Sequence, residues 1–593
     1  MRILGVNMGF SRPKEATPSG LRHQLSDGSA ALLENGKLVF AGIEERHTRR
    51  RYQGGFGSAV QAFCNSDSEH LAEPIDIIAV SSCCGPHWPA GGQTAEEIQE
   101  CLPPDLWRGS DSENHALVIV DHHESHAALG FALSGASKAL VAVLDGFGNL
   151  IDLADWDSDQ WWRGRFQRHS YYVASKADGG FNLQCVAREA DRKDEVGLGE
   201  AYRAITHFCG WRSYQQAGSA MALAAYGDGR LLDGVSFVGY DENRIRCMLR
   251  NDHPNPAGAI EALLRKGGAH VDALFNRTAT PRDRGHCSAV RAMQDQLTDA
   301  ICGRVLALAE KHQADTVIVA GGVAMNCLAM GELQRRFPGN VFVPPAPSDT
   351  GQGLGNAIWA HACTASPLFR KHQPEFVFSE APFWGVPSNN ISKAIRHAQS
   401  WSGVRVVEKV SLPDQFAEAA QLLANGKLVA VCMGRSEYGP RALGRRSVLF
   451  DPRRPDAPSI VNRFKQREPY RPFAPALLHE NVRDFLSWPV QSPFMSFAVE
   501  VQHSARQRIP GVLHADGTAR VQTIGPQSGS PLRPILESFL RITGIPVLLN
   551  TSFNRKGEPM IETPWEAVDA FVRSSLDVLL LDGVTLHKVP SYA

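Results

Sequence analysis

The 593-residue chain carries 61 Lys and Arg against 62 Asp and Glu, a net charge of −1, with 43% hydrophobic and 21% charged residues. That length exceeds a single hydrophobic core and predicts two or more domains, while the charge balance excludes a global attraction to nucleic acid or anionic membrane, and no stretch is apolar for long enough to span a bilayer. Twelve cysteines, with an adjacent pair at Cys83 and Cys84 and no CxxC, exclude a disulfide framework and a thiolate zinc site, and they predict a reducing cytoplasm.

Residues 1–9, MRILGVNMG, have too short an apolar run for a signal peptide and read as a first β-strand. SDGSAALLENGKLVFAGIEE follows as a β-hairpin turning at Glu34-Asn35-Gly36. The apolar run 116–120 predicts a buried strand, and the Ala-rich segment from Ser125 predicts a helix that begins where the strand ends. Near residue 140 the opening phrase returns. ALVAVLDGFGNLIDLADWD is again a strand, an Asp-Gly turn and a second strand, the mark of a duplicated α/β unit. Trp161-Trp162, just beyond, reads as packing under a loop or as an aromatic wall for an acceptor. Helices are predicted over GLGEAYRAITHFCGW and SAMALAAYG. DTVIVAGGVAMNCLAMGELQRRF reads as strand, tight turn and helix, with glycines that let the backbone approach a nucleotide. NVFVPPAPSDTGQGLGNAIWAHA adds a strand. Between residues 365 and 390 the sequence turns rich in Pro, Ser and aromatics without periodicity, which predicts a boundary dividing residues 1–375 from 385–593. The second unit reads as mixed strands and helices, with strands in KLVAVCMG, FMSFAVEV, IPVLLN and DVLLLDG.

His122 and His126 lie four residues apart, so a helix there aims both imidazoles at one ion. Asp145 in VLDGFG and Asp349 in PSDTGQG each end a strand ahead of a glycine, where a carboxylate can point into a cleft. Two imidazoles and two carboxylates suit Fe(II), Mn(II) or Zn(II), with positions left open for an oxygen ligand. His123, Glu124 and Ser125 read as capping and supporting groups. Arg435, Arg441, Arg445 and Arg446 in GRSEYGPRALGRRS, with Arg463, Lys465, Arg467 and Arg471 in NRFKQREPYRPFAP, concentrate positive charge in a chain that has no net excess of it. That density predicts a phosphate pocket, since guanidinium matches phosphate oxygens bidentately. Asn550, Thr551, Ser552 and Asn554 in LLNTSFN offer amides and hydroxyls at a strand end, to orient a small polar group or to cap the loop. HADGTARVQTI puts Arg520 on a strand with His514 and Thr518 nearby.

In this order, HHESHA, LDGFG, GGVAMN, SDTGQGLGNA, GRSEYGPRALGRRS, REPYRPFAP and LLNTSFN resemble the motifs of the nodulation and cephamycin-type O-carbamoyltransferases, and the match spans nearly the whole chain. The resemblance implies an α/β fold in which a duplicated actin-like (ASKHA) N-terminal domain, akin to the metal-dependent component of tRNA threonylcarbamoyl transfer, is joined to a C-terminal YrdC-like α/β domain. It implies that the second domain converts carbamoyl phosphate and ATP, with Mg(II), to carbamoyl-AMP. A hydroxyl of a small molecule then takes the carbamoyl group at an N-terminal metal site, Fe(II) first, with Mn(II) or Zn(II) as alternatives. By motif position, His122, His126, Asp145 and Asp349 would hold the metal, and Gly321, Gly322, Asn326 and Asp349 would lie beside the nucleotide. Arg441, Lys465, Arg471, Arg520, Asn550 and Ser552 would hold carbamoyl phosphate and ATP.

The chain departs from that pattern in its first half. Ser26-Asp27 stands where many members have His-Asp, which leaves Asp27 and the loop residue His23, with Asp145, as the candidates for proton transfer. IEERHTRRRY keeps Glu44, Glu45, Arg46 and Arg49 but has Arg51-Tyr52 for Lys-His, making Arg51 a further catalytic candidate, and Ala217-Gly218-Ser219 replaces Glu-Gly-Lys. Ordinary activation and a specialised acceptor follow: an antibiotic sugar, a macrocyclic polyketide or a lipo-oligosaccharide, with no membrane or nucleic-acid partner and with dimerisation left open. The alternative is a threonylcarbamoyl-type transferase acting on tRNA, against which stand the neutral pI of about 7.1 and the absence of a basic stripe.

Overall fold

The computed structural model describes residues 1–7, 27–66, 75–81, 116–146, 148–149, 166–178, 180–190, 196–241, 244–249, 256–268, 283–363, 382–387 and 391–589. A first sheet is built from β1 (Arg2–Asn7), β2 (Ser29–Glu34), β3 (Lys37–Ile43), β4 (Ile77–Ser81) and β5 (Ala116–Ile119) in the order 3-2-1-4-5. β1, β2 and β3 form an antiparallel meander, and β4 and β5 run parallel to β1. The β2–β3 hairpin turns on Asn35 and Gly36, at φ 49° and 76°, the positive values that a two-residue turn needs to match strand twist.

The second sheet repeats the first. β6 (Lys138–Leu144), β7 (Gln167–Ala177) and β8 (Gly180–Ala190) make the meander; a short β9–β10 hairpin (Val238–Tyr240, Ile245–Cys247) stands apart; β11 (Thr316–Ala320) and β12 (Asn340–Phe342) run parallel to β6. Two sheets with the same order and the same strand directions are the duplicated actin-like unit. One detail differs from expectation. The strand paired with β6 is β7, in register from Lys138↔Ser175 to Leu144↔His169, and not the segment directly after the Asp-Gly turn, of which residues 150–157 lie outside the described residues. QRHSYYVASKA supplies the longer β-branched and aromatic run, and it pairs on its other side with β8. Between the two sheets lie the helices His122–Ser134 and Gln352–Cys363, packed on each other in a core that includes Ile3, Leu129, Val141, Leu354 and Ile358.

The last third is one mixed sheet of nine strands, β13 (Val404–Glu408), β14 (Val429–Cys432), β15 (Arg446–Phe450), β16 (Ala474–Leu478), β17 (Phe497–Glu500), β18 (Thr518–Ile524), β19 (Val547–Ser552), β20 (Val578–Leu581) and β21 (Val584–Lys588). Its order is 13-21-20-14-15-19-16-18-17. Part of the expected boundary, residues 364–381 and 388–390, lies outside the described residues. One buried cluster draws on both sides of it, joining Val319 and Met330 to Val431, Phe450 and Val499. At this seam the helix Cys327–Arg336 lies backbone to backbone on β17: a Cβ on Gly331 would sit 2.1 Å from the Ala498 carbonyl oxygen. Among the described residues no helix is long and apolar enough to cross a membrane, and eight cysteines are free thiols.

A second tie comes from the helix Glu44–Thr48. Glu44 accepts from the Ser58 and Ala59 amides and so caps the helix Gly57–Ser66. Arg46 crosses to the last third, donating to the carbonyls of Glu437 (2.5 Å) and Gly439 (2.6 Å) with Glu562 3.6 Å away, all buried. Arg49 donates to the carbonyls of Met560 and Pro559. Arg46→Ala strands a buried carboxylate and two carbonyls, so chemical denaturation should show a loss of about 3–5 kcal/mol. A loss under about 1 kcal/mol, the scale of an exposed pair, would contradict this brace.

Candidate functional site

Asp121 fixes the start of the helix that follows β5. Its carboxylate accepts from the amides of His123 (2.9 Å) and Glu124 (3.0 Å), which makes His122 the first helical residue and places His126 one turn on, on the same face. The strand β6 delivers Asp145 at its carboxyl end, and Asp349 opens a short 3₁₀ turn before the helix Gln352–Cys363. The four side chains converge. His122 Nε2 lies 2.9 Å from Asp145 Oδ2 and 3.3 Å from Asp349 Oδ1; His126 Nε2 lies 3.4 Å and 3.3 Å from the same two atoms. One ligand atom from each falls within 4.8 Å of all the others.

Surrounding groups hold each ligand. Asp145 Oδ1 accepts from the amides of Gly146 (2.7 Å) and Gly322 (3.1 Å), which leaves Oδ2 turned to the histidines. Gln352 donates to the His122 carbonyl at 3.1 Å and is itself bonded to Ser81. Asn7 donates to the carbonyls of Asp27 and Asp349, tying β1 to both loops. His123, though adjacent, points elsewhere: its Nδ1 pairs with Ser170 Oγ at 2.7 Å.

The electrostatics call for a cation. Burial opposes ionisation of Asp145, but hydrogen bonds from His122 and His126 outweigh it and hold the carboxyl well below its usual range. Burial likewise disfavours the charged form of His126, and the Asp145 and Asp349 carboxylates raise it regardless. His126 Nδ1 is buried without a hydrogen bond, and Nε2 faces both carboxylates at 3.3–3.4 Å. A buried and a half-buried carboxylate facing two buried imidazoles form a donor set that fits a divalent ion. Asp27 looks onto the same group at φ 61°. Its carboxyl is pushed up to about 8 by burial and by Asp349, Glu45 and Asp145, with Arg51 opposing.

Gly321 shapes the turn after β11. At φ 89° a Cβ would lie 2.3 Å from the Leu144 carbonyl oxygen, and the next amide is the one bonded to Asp145. Gly321→Ala should therefore cost about 2–4 kcal/mol and weaken metal binding together with stability. Unchanged thermal stability by scanning calorimetry would contradict it.

The second cluster lies on the last third, against the first half. Lys465 is buried and donates to the Ser552 carbonyl (2.6 Å), the Asn554 carbonyl (2.6 Å), Asn554 Oδ1 (2.8 Å) and Ser552 Oγ (3.1 Å). Burial, then Arg467, Arg471 and Arg51, lower it well below the lysine range. Arg441 is driven down to about 9 by burial and by Arg520 and Arg471; its hydrogen bond, to the Met325 carbonyl, is long at 3.5 Å. Arg520 has no hydrogen bond or ion pair among the described residues, and its Nε is buried. Arg467 stacks on Phe473 at 3.9 Å, and Arg471 reaches across to Ser219 Oγ of the first half at 3.2 Å. Arg467, Arg471 and Arg520 line a cleft of about 660 Å³, counted out to its mouth, walled on the first-half side by Gly218 and Tyr226. Crowded, desolvated guanidinium groups, of which Arg520 makes no hydrogen bond among the described residues, suit a polyanion.

Several expected residues take other roles. Asn326 caps the helix Cys327–Arg336 through the Ala329 amide and pairs with Gln294, so its amide is committed to structure. Asn550 braces the basic loop from below, donating to the Ala442 carbonyl and to Gln522. Ser552 belongs to the Lys465 cage and lies beside it. Arg446 is fully buried and holds the carbonyls of Glu562, Met433 and Gly434; Arg435 holds those of Gly385, Val39 and Trp384. Arg463 faces solvent. Arg51 is exposed over the Tyr52 ring, yet its charge is felt at both Asp27 and Lys465, which puts it between the two clusters. His23, Ser26, Trp161 and Trp162 lie outside the described residues. The sequence reading missed Gln294, Asn7 and the contact of Ser219 with Arg471, since each acts through a partner far away in the chain.

Comparison with known proteins bears on both clusters. The Carbamoyltransferase N-terminus family matches residues 96–358, and the Carbamoyltransferase C-terminus family matches residues 420–588. The chain is similar to nodulation protein NolNO of Sinorhizobium fredii, 27% identical over 99% of this chain and 83% of that protein. It is similar also to nodulation protein NolO of Bradyrhizobium diazoefficiens, 29% identical over 80% of this chain and 79% of that one. A solved structure, full-length HypF in its phosphate- and nucleotide-bound form, aligns over 62% of this chain and 56% of its own at 13% identity with a TM-score of 0.33, a likeness that leaves the fold to be read from the sheets themselves.

Proposed function

The chain belongs to the carbamoyltransferase family, and from that premise we propose that it is an ATP-dependent O-carbamoyltransferase with two sites dividing the work. The observation that carries the proposal is the pairing of opposites in one chain: a His/Asp group whose donor set fits a divalent cation and a cleft on which Arg467, Arg471 and Arg520 converge. Arg471 and Arg520 in the cleft, with Arg441 beside them, bind the phosphates of carbamoyl phosphate and ATP. Hydrolysis of carbamoyl phosphate gives carbamate and phosphate. A carbamate oxygen then attacks the α-phosphorus of ATP, and pyrophosphate leaves with its charge offset by the guanidinium groups. Lys465, held by Ser552 and Asn554, keeps that wall of the cleft in place.

At the other site His122, His126, Asp145 and Asp349 hold a divalent ion, Fe(II) by resemblance, which when bound supplies Lewis acidity toward oxygen. An acceptor hydroxyl attacks the carbamoyl carbon, the bond to the AMP oxygen breaks, and the hydroxyl proton passes to Asp27 in its carboxylate form, which a divalent ion held beside Asp349 and Asp145 would favour. AMP and the O-carbamate are the products. Arg51, between the clusters, offers charge to the phosphate of the mixed anhydride as it moves. The acceptor is a small-molecule hydroxyl, and the free thiols fit a reducing cytoplasm. The test is release of pyrophosphate that requires ATP and carbamoyl phosphate together, followed by a screen of amino-sugar, polyketide and lipo-oligosaccharide acceptors for AMP release. Pyrophosphate formed from ATP with no dependence on carbamoyl phosphate would reject the proposal.

A further inference from the structure

His514 lines the same cleft as Arg467, Arg471 and Arg520, and its chemistry is opposite to theirs. It sits in the turn before β18, where its amide donates to the Thr518 carbonyl at 2.8 Å and its carbonyl accepts from Gly517 at 3.0 Å. Thr518 and Arg520 are two apart on β18 and so share a face of the strand, which sets the ring bonded to Thr518 beside the Arg520 guanidinium. A chain of hydrogen bonds fixes the tautomer. Thr518 Oγ1 donates its proton to Asp516 Oδ1 at 2.7 Å, so toward His514 it can only accept, at 2.9 Å from Nδ1. Nδ1 therefore carries the hydrogen and Nε2 is a bare acceptor. Burial, with Arg520 adjacent and Asp516 opposing, brings the imidazole down to about 4, so it is neutral at physiological pH.

A neutral acceptor among guanidinium donors is unusual in a phosphate pocket. It adds nothing to the grip on an anion, and unlike a carboxylate it does not repel one. What it can accept is an N–H carried by the same ligand whose phosphate the arginines hold. Asp516, the carboxylate nearest by, spends Oδ1 on the Thr518 hydroxyl and amide. We infer that His514 Nε2 accepts the amino group of carbamoyl phosphate and is the residue by which the cleft selects a carbamoyl over an acetyl group. Acetyl phosphate presents the same phosphate and carbonyl but a methyl where the amino group would be, and the acceptor would then face it unpaired. This inference rests on the reading that the cleft takes carbamoyl phosphate.

Calorimetric titration of the full chain with carbamoyl phosphate and, separately, acetyl phosphate tests it. The wild type should bind carbamoyl phosphate about tenfold or more tightly over acetyl phosphate, the scale of one hydrogen bond made against one left unmade. His514→Phe should bring the two to within about twofold by weakening the first alone. His514→Gln, whose side-chain oxygen reaches the Nε2 position, should keep part of the preference, and His514→Asn, which reaches only the Nδ1 position, should not; this pair decides the matter if the Phe variant does not fold. A preference that survives in both Phe and Asn variants overturns the role of His514 while leaving the cleft's ligand intact. Failure of the wild type to bind carbamoyl phosphate overturns the underlying reading as well. A third arm compares ATP with purine riboside triphosphate, which lacks the amino group: discrimination lost there in His514→Phe, with the carbamoyl preference kept, would assign the acceptor to the nucleobase and reject the inference.

Discussion

Replacing Arg520 with methionine is expected to reduce carbamoyl-phosphate-dependent pyrophosphate release by about 10²–10³-fold while leaving the protein as stable as before, or slightly more so. The two halves of that expectation come from one fact. Arg520 makes no hydrogen bond among the described residues and stands among Arg441, Arg467 and Arg471, so its removal relieves repulsion and strands no partner among them. Methionine keeps the unbranched stem and its packing. A merely structural arginine behaves in the opposite way: Arg446→Met should cost several kcal/mol, because the carbonyls of Glu562, Met433 and Gly434 lose a buried donor. Thermal denaturation and a coupled pyrophosphate assay on the two variants check both statements. Arg520→Met protein that unfolds more readily and retains turnover would refute the reading of this cleft as an anion site.

The second large effect belongs to His126. His126→Ala should bind less than about a tenth of the metal held by the wild type and lose acceptor-dependent AMP release by about 10³-fold or more, as the loss of one of four ligands predicts. Stability should fall only modestly, because Asp145 keeps the amides of Gly146 and Gly322, and Asp349 keeps its backbone tie to Asn7. Elemental analysis of protein purified in parallel measures the first quantity. Chelation of the wild type should reproduce the defect, with activity restored by one equivalent of ion. Full transfer activity in His126→Ala would remove the metal site from the account.

How much of this was legible in the sequence depended on distance along the chain. The His/Asp group could be read because most of it is local: His122 and His126 share a helix face through simple spacing, and Asp145 follows a strand ahead of glycine, whereas Asp349, expected at a strand end, opens a 3₁₀ turn seven residues past β12. The duplicated sheets were likewise signalled by a recurring phrase, although the partner of β6 lies further on than the phrase implied. The basic clusters announced a concentration of cations but not which of their members line the cleft. Arg435, Arg446 and Arg463 look the same as Arg471 in sequence; whether a guanidinium meets a carbonyl, solvent or open cleft is settled by segments as far as 396 residues away. Asn326 and Asn550 have structural partners that the sequence did not signal, for a related reason. Amides at strand ends suit ligands and caps equally, and here a helix amide and a loop carbonyl claimed them first. His514 carried no local signal beyond proximity to Arg520, because its meaning lies in a tautomer set by Thr518 and Asp516.

The division of labour between the two clusters is tested most directly by the rate of carbamoyl-phosphate-dependent pyrophosphate release in Arg520→Met and His126→Ala, measured side by side against the wild type. The sites belong to different sheets and share no side chain, so the effects should separate: release lost in Arg520→Met and retained within about twofold in His126→Ala. Equal loss in both variants, or loss in His126→Ala alone, would contradict the account.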